Sequence, residues 1–119
     1  MLQQQEIIDI DRTNILNKAH DMKNAAHRLV VISALPDLTM LYCFEKNEKL
    51  TIFRFSADCP EPVESISSIY SYAFVYENEI KDLFGISIVN INLDFNGHFY
   101  KTAIKRPFRA VQRKVEGNE

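Results

Sequence analysis

Residues 29–55 read LVVISALPDLTMLYCFEKNEKLTIFRF, three apolar runs separated by two short polar segments. The runs are rich in β-branched and aromatic residues, whereas segments 36–37 and 46–49 have the composition of turns. This pattern predicts an antiparallel meander with strands at 29–34, 39–45 and 50–55. Because the second run is apolar on both alternating faces, we expect its strand to lie in the centre of the sheet.

The segment before the meander has the periodicity of an amphipathic helix. Apolar residues recur at three- and four-residue steps from Ile15 to Leu29, and Asp11 stands before them as an N-cap. We therefore predict a helix over residues 11–29. His20 and His27 would lie about 10 Å apart along it, too far for both to bind one metal ion directly.

The chain after the meander predicts several short elements. Pro62 is placed for the first turn of a helix that reaches Tyr70, with Val63, Ile66 and Tyr70 facing inward. An aromatic strand follows at residues 72–76.

A further helix is predicted at residues 77–84, with Ile80, Leu83 and Phe84 on one face. Gly85 is placed to end it in the left-handed conformation. Residues 86–95 are β-rich, and Asn96-Gly97 indicates a type I′ hairpin turn.

Length and composition predict one ordered domain. The 119 residues are 46% hydrophobic and 25% charged, with only three Gly and four Pro. The predicted fold class is α+β, with an N-terminal amphipathic helix and short helices packed on a mixed or antiparallel sheet of four to six strands. The sequence contains neither an apolar run of about 18 residues nor a signal peptide, so we expect a cytoplasmic protein.

The net charge of −2 hides an asymmetry along the chain. Residues 1–100 carry eight Lys or Arg against fourteen Asp or Glu, whereas residues 101–114 carry six Lys or Arg and no acid. We therefore divide the chain into a domain at 1–104 and a basic tail at 105–119. Such a tail could contact nucleic acid, anionic lipid or an acidic protein surface.

The cysteines do not have the spacing of a metal or iron–sulfur site. Cys43 and Cys59 lie 16 positions apart, without a C-x-x-C pair or a neighbouring histidine. We expect two reduced thiols, one inside a strand and one in a turn before Pro60.

Residues 77–86 read ENEIKDLFGI and carry the most specific signal in the chain. The pattern Glu-x-Glu-x-x-Asp-Leu-Phe-Gly-Ile after an aromatic run closely resembles the signature of the 30 kDa subunit family of respiratory complex I. Asn78 stands where that family commonly has Arg. The family includes small homologues in energy-converting NiFe hydrogenases, which pack beside the nickel-bearing large subunit.

The ending of the chain resembles the hydrogenase-type members. Residues 93–108 read LDFNGHFYKTAIKRPF, whereas complex I members usually continue with Gly-His-Pro-Asp-Leu-Arg soon after the Phe-Gly-Ile. The only Gly-His pair here, Gly97-His98, lies further downstream and lacks the residues that should follow. The resemblance covers residues 72–108.

This resemblance implies a structural role in a hydrogenase complex. The chain would hold no cofactor, and partner subunits would carry the NiFe centre and the iron–sulfur clusters. Its partners would be the nickel-bearing large subunit and an iron–sulfur subunit, which would also attach it to the cytoplasmic face of the membrane. The candidate interface residues are Glu77, Glu79, Asp82, Leu83, Phe84, Gly85, Lys101, Lys105, Arg106, Pro107 and Phe108.

The acids of this segment also have local explanations. Glu77 and Glu79 would lie in the first turn of a helix that begins at residue 77, where the helix dipole favours a carboxylate, and Glu77 could pair with Lys81. Asp82 would lie in the last turn, where the dipole opposes it, so we expect its carboxylate to accept hydrogen bonds from N–H groups or from a Lys or Arg. The paired carboxylates could instead form a general acid–base pair or a metal site. However, no His or Cys lies at a useful spacing from them, and no nucleophile is adjacent.

Several alternatives remain at this point. The chain could instead have the same structural role in the quinone-reducing NADH dehydrogenase complex, where it would brace the neighbouring subunits. A free-standing anion-binding module and a small cofactor-independent enzyme are rivals from other classes. The basic tail could be a solvated chain end. Among binding roles, docking on a protein is favoured over nucleic acid, because apolar residues such as Phe108 interleave the cations and the body is acidic.

Overall fold

The computed structural model describes residues 4–93, which form two helices and six strands. In chain order these are β1 (Gln4–Asp9), a 3-10 turn (Arg12–Asn14), α1 (Ile15–Asn24), β2 (Arg28–Ala34), β3 (Thr39–Lys46), β4 (Lys49–Ser56), β5 (Val63–Glu64), α2 (Ala73–Phe84) and β6 (Ile88–Val89). The predicted α+β class is confirmed. Neither helix within this range is long and apolar enough to cross a membrane.

The main sheet has the strand order β1-β4-β3-β2. Strands β2, β3 and β4 form the predicted antiparallel meander, and β3 lies between its two neighbours as its apolar faces indicated. Strand β1 was not predicted, and it pairs parallel with β4, so that Ile7 lies opposite Ile52. The sheet is therefore mixed.

A second, two-stranded sheet joins β5 to β6 in parallel, with Val63 opposite Ile88. The helix predicted to start at Pro62 is therefore wrong, because the residues after it pair with β6 instead. Proline is tolerated just before a strand as well as at a helix start, so its presence did not decide between them. The prediction that Val63, Ile66 and Tyr70 face inward is confirmed, since all three are buried.

The core lies on one face of the main sheet. Met40, Tyr42 and Phe44 alternate along β3 and are fully buried on that face. The Tyr42 ring stacks on Phe55 of β4, with the ring centroids 5.6 Å apart. Helix α1 contributes Ile15 and Ala19 to the same core.

Helix α1 is shorter than predicted. It ends at Asn24, Ala26 adopts a φ of 63°, and β2 begins at Arg28. The predicted C-terminal end is wrong because the β-branched run that follows pairs with β3, and His27 consequently lies in the turn between the two elements. The Asp11 side chain does not cap the helix, since its carboxylate accepts the Thr13 hydroxyl at 2.7 Å.

Helix α2 is longer than predicted, because it begins at Ala73 rather than at Glu77. The strand predicted at 72–76 is therefore wrong. Ile80, Leu83 and Phe84 were predicted on one face of the helix; in the structure Ile80 is buried, whereas 46% of Leu83 is exposed. Within residues 86–93 the only strand is β6, and the Asn96-Gly97 turn and the domain boundary after residue 104 lie outside the described residues.

Gly85 ends α2 as predicted, with a φ of 71° and its N–H donating to the Lys81 carbonyl.

Gly85→Ala should lower the free energy of unfolding by about 1 kcal/mol, because alanine disfavours the left-handed conformation. An added Cβ would meet nothing within 4 Å, so we expect no steric cost beyond this backbone preference. Urea denaturation measures this loss. Gly85→Asn is the control and should lose less, because Asn tolerates this conformation, whereas equal stability of Gly85→Ala and the parent protein would contradict the argument.

Candidate functional site on helix α2

The signature residues lie on the last two turns of α2 and just after it. Glu77 is fully buried, Glu79 and Asp82 are half-buried, and Leu83 is exposed. The structure therefore separates residues that the sequence pattern treats as one group. Of these four residues, Glu77 faces the core, whereas Glu79, Asp82 and Leu83 face outward or sideways.

Glu77 is held by the segment that follows β5. Its Oε1 accepts the Ser65 hydroxyl at 2.6 Å, and its Oε2 accepts the backbone N–H of Ile66 at 2.9 Å. One carboxylate thus joins the second turn of α2 to the end of β5. Each oxygen has a donor, which is what a carboxylate needs when no water reaches it.

The hydrogen bonds continue from Ser65 to Asn92. The Ser67 hydroxyl lies 2.7 Å from the Ser65 Oγ, and the Asn92 N–H donates to the Ser67 Oγ at 2.8 Å. Because a hydroxyl has one proton and Ser65 gives its own to the ionised Glu77, Ser67 must donate to Ser65. The chain of donors therefore runs in one direction, from Asn92 through the serines to Glu77.

Burial opposes the charge that these donors favour. Desolvation raises the pKa of Glu77 from 4.5 to about 7, although the bonds from Ser65 and Ile66 act to lower it. Tyr42 is fully buried near this carboxylate. Desolvation raises the pKa of its phenol well above 10.0, and the negative charge of Glu77 raises that pKa further. Glu77 is therefore a buried acid that titrates near neutral pH.

Asn78, next to Glu77, is a structural residue. It is buried, and its Nδ2 donates to the carbonyls of Phe74 and Leu93, both at 2.8 Å. The amide thus ties the segment after β6 to the side of α2. At the position where the family commonly has Arg, this chain therefore has an amide with a local structural role.

Three tyrosines before and within α2 bond to the outer edge of β2. The Tyr72 hydroxyl accepts the Leu29 N–H at 3.2 Å and lies 3.0 Å from the Leu29 carbonyl, to which it donates. The Tyr76 hydroxyl donates to the Val30 carbonyl at 2.9 Å. The Tyr70 hydroxyl bonds to the backbone just before β2, since it donates to the carbonyl of residue 27 at 2.7 Å. The helical rise keeps residues 72 and 76 about 6 Å apart along the chain, whereas a strand would separate them by about 13 Å. Both hydroxyls can therefore reach the adjacent residues Leu29 and Val30, which favours a helix over residues 73–76.

The outward face of α2 and of the residue before it is largely apolar. Tyr72, Val75 and Leu83 are 44%, 39% and 46% exposed, and the half-buried Glu79 lies among them. Residues 72, 75, 79 and 83 follow steps of three and four, so they form one stripe, which we call the α2 stripe. A stripe of this composition is typical of a surface that contacts another protein.

Two interpretations of the acids are corrected by this geometry. Helix α2 has no acid in its first turn, so neither Glu77 nor Glu79 is stabilised there by the dipole. Glu77 directs its oxygens to Ser65 and Ile66 instead of pairing with Lys81. The acceptor role of Asp82 stays a prediction.

Ser65, Ser67 and Tyr42 were not predicted as partners of the helix. The sequence contains a pattern that could have indicated the burial of Glu77. In a helix that starts at residue 73, positions 73, 77, 80 and 84 form the core-facing side, and Glu77 is the acid among them. The interface candidates Lys101, Lys105, Arg106, Pro107 and Phe108 lie outside the described residues.

Within residues 4–93, no group of three His, Cys, Asp or Glu side chains is close enough to hold a metal ion. Both cysteines are free thiols, Cys43 buried in β3 and Cys59 exposed before Pro60. Burial raises the pKa of the Cys43 thiol, which keeps it protonated and makes it a poor nucleophile.

Glu77 predicts a specific pH dependence of stability. Its pKa is higher in the folded chain than in the unfolded one, so its contribution is fully present below pH 4.5 and is lost as the pH rises towards about 7. The loss should be on the order of 3 kcal/mol at most. Glu77→Gln should make the free energy of unfolding nearly flat across this window, as measured by urea denaturation at several pH values.

Glu79→Gln is the matched control, because Glu79 lies on the same helix but is only half-buried. This variant should keep the pH dependence of the parent protein. If Glu77→Gln and the parent lose the same stability between pH 4.5 and 7, Glu77 is not the titrating group.

Comparison with protein families gives an independent result. Residues 8–109 match the family described as the respiratory-chain NADH dehydrogenase 30 kDa subunit. No curated protein matches the chain. The match includes α2 and most of both sheets, so it covers the parts of the chain that build the site described above. The chain therefore belongs to the family of respiratory-chain NADH dehydrogenase 30 kDa subunits, whose members are components of multisubunit oxidoreductase complexes.

Proposed function

We propose that this chain is a non-catalytic structural subunit of a membrane-associated energy-converting NiFe hydrogenase. It would brace the nickel-bearing large subunit and an iron–sulfur subunit, and electrons would pass through those neighbours. It would reach the cytoplasmic face of the membrane only through them. Membership of the family supports a role as a subunit of an oxidoreductase complex. The assignment to a hydrogenase is our proposal.

The observation that carries the proposal is the α2 stripe. Outward positions of a helix are ordinarily polar when water covers them, whereas Tyr72, Val75 and Leu83 are large, apolar and at least 39% exposed. Covering them with another protein would remove this apolar area from water. The buried Glu77 network keeps α2 in the orientation that presents the stripe.

The hydrogenase type is supported by the chain ending. Residues 93–108 resemble hydrogenase-type members, and the Pro-Asp-Leu-Arg that complex I members usually carry after Gly-His does not follow Gly97-His98. The second candidate is the equivalent subunit of a quinone-reducing NADH dehydrogenase, which the family description favours. Nickel in the purified complex distinguishes the two.

Leu83→Glu should weaken assembly and leave folding intact. The new carboxylate would face water in the free chain but would be desolvated against an apolar partner surface, so we expect at least about tenfold less large subunit to co-purify. The measurement is nickel per tagged chain after affinity purification, together with the thermal midpoint of the isolated variant.

Ile7→Glu on β1 is the matched control, because Ile7 is also 46% exposed. It should retain the partner. Equal retention by both variants would reject the α2 stripe as the interface.

The basic tail gives a second test of docking. We expect residues 105–119 to contact the partner, with Phe108 and Pro107 as apolar anchors and Arg106 and Arg109 facing carboxylates. Loss of one central aromatic anchor typically costs about 2 kcal/mol of binding. Deletion of residues 106–119 should therefore reduce co-purification while thermal unfolding stays cooperative. Full co-purification would reject docking by the tail, and loss of folding would assign the tail to the core.

A further inference from the structure

Strand β2 forms one edge of the main sheet, so half of its backbone groups point away from β3. The Leu35 N–H donates to the Thr39 carbonyl at 2.9 Å, which marks a hydrogen-bonded pair at this end of the ladder. Because such pairs alternate along antiparallel strands, residues 31 and 33 bond to β3. The N–H and C=O groups of Ile32 and Ala34 therefore point outward.

The two halves of this edge differ. The Tyr72 and Tyr76 hydroxyls bond to the outward groups of Leu29 and Val30. No group within residues 4–93 bonds to the outward N–H or C=O groups of Ile32 and Ala34. An open pair of backbone donors and acceptors is the template on which an extended segment adds to a sheet.

A groove lies beside this open half. It has a volume of about 260 Å³ and runs between residues 31–34 of β2 and the last two turns of α2. Its helical side is lined by Tyr76, Glu79, Ile80, Leu83 and Phe84. Leu35, which is 42% exposed, follows the strand at one end. The groove is therefore apolar, with one acid and no lysine or arginine among its lining residues.

We propose that an extended segment of the large subunit adds to β2 as a fifth strand of the main sheet. Its backbone would pair with Ile32 and Ala34, an apolar side chain would fill the groove, and a Lys or Arg would face Glu79. This inference rests on the proposed function, since it specifies how the partner binds beside the α2 stripe.

The surface favours this occupant over two others. A partner helix uses its own backbone groups internally and cannot satisfy those of Ile32 and Ala34. A second copy paired edge to edge would bring two Glu79 side chains to the same junction, and the groove lining contains no cation to neutralise them. A basic, apolar strand from another protein meets both requirements.

Hydrogen exchange at single amides tests the pairing directly. In the isolated full-length chain, the amides of Ile32 and Ala34 should exchange faster than those of Val31 and Ser33, which bond to β3. In the complex purified through a tag on this chain, we expect Ile32 and Ala34 to slow by at least about tenfold.

A substitution tests the same contact. Ala34→Pro removes an outward N–H without removing a bond to β3, and proline is tolerated on edge strands. It should reduce co-purified nickel at least about tenfold. Ser33→Ala is the matched control, because its side-chain change leaves the edge amides in place, and it should retain nickel within about twofold.

The outcomes separate the two proposals. Nickel in the complex with unprotected Ile32 and Ala34 amides would overturn strand addition and leave the assembly role standing. Protection of both amides in a complex that holds no nickel would reject the hydrogenase assignment and leave strand addition standing. Ala34→Pro that folds and retains its nickel would also overturn strand addition.

Discussion

The arrangement of α2 depends on one buried carboxylate. Glu77 joins the helix to the end of β5 through Ser65 and Ile66, and the serine chain extends that connection to Asn92. An acid in this position is costly unless each oxygen has a donor, so the surrounding backbone must keep one geometry. That geometry sets which residues of α2 face the core and which face outward.

The central meander could be predicted from sequence because its signals are local. Apolar alternation and turn residues lie within 27 consecutive positions, and neighbouring strands pair with each other. Strand β1 gave no comparable signal, since nearly all its residues are exposed and its partner lies far along the chain. Its pairing is a tertiary property, and the short segment alone does not specify it.

The candidate site was found only in part for a similar reason. The motif identified the correct segment and the αL position of Gly85, but aromatic residues at 72–76 have strand propensity. Their helical conformation is stabilised by tyrosine hydroxyls that reach β2, more than 40 residues away in sequence. Once the helix start is misplaced, Glu77 moves from the buried second turn to an exposed first turn. The error about its role therefore follows from the error about the boundary.

The parallel pairing of β1 with β4 also constrains the order in which the chain folds. Ile7 lies opposite Ile52, so this contact closes a loop of 45 residues, whereas β3 and β4 are joined by a tight turn between Lys46 and Lys49. Closing a long loop costs more chain entropy than closing a hairpin, and non-local contacts form more slowly. The meander should therefore form first as a three-stranded platform. Although β1 leaves the ribosome before the other strands, it must wait for β4 to be synthesised before it can join the sheet.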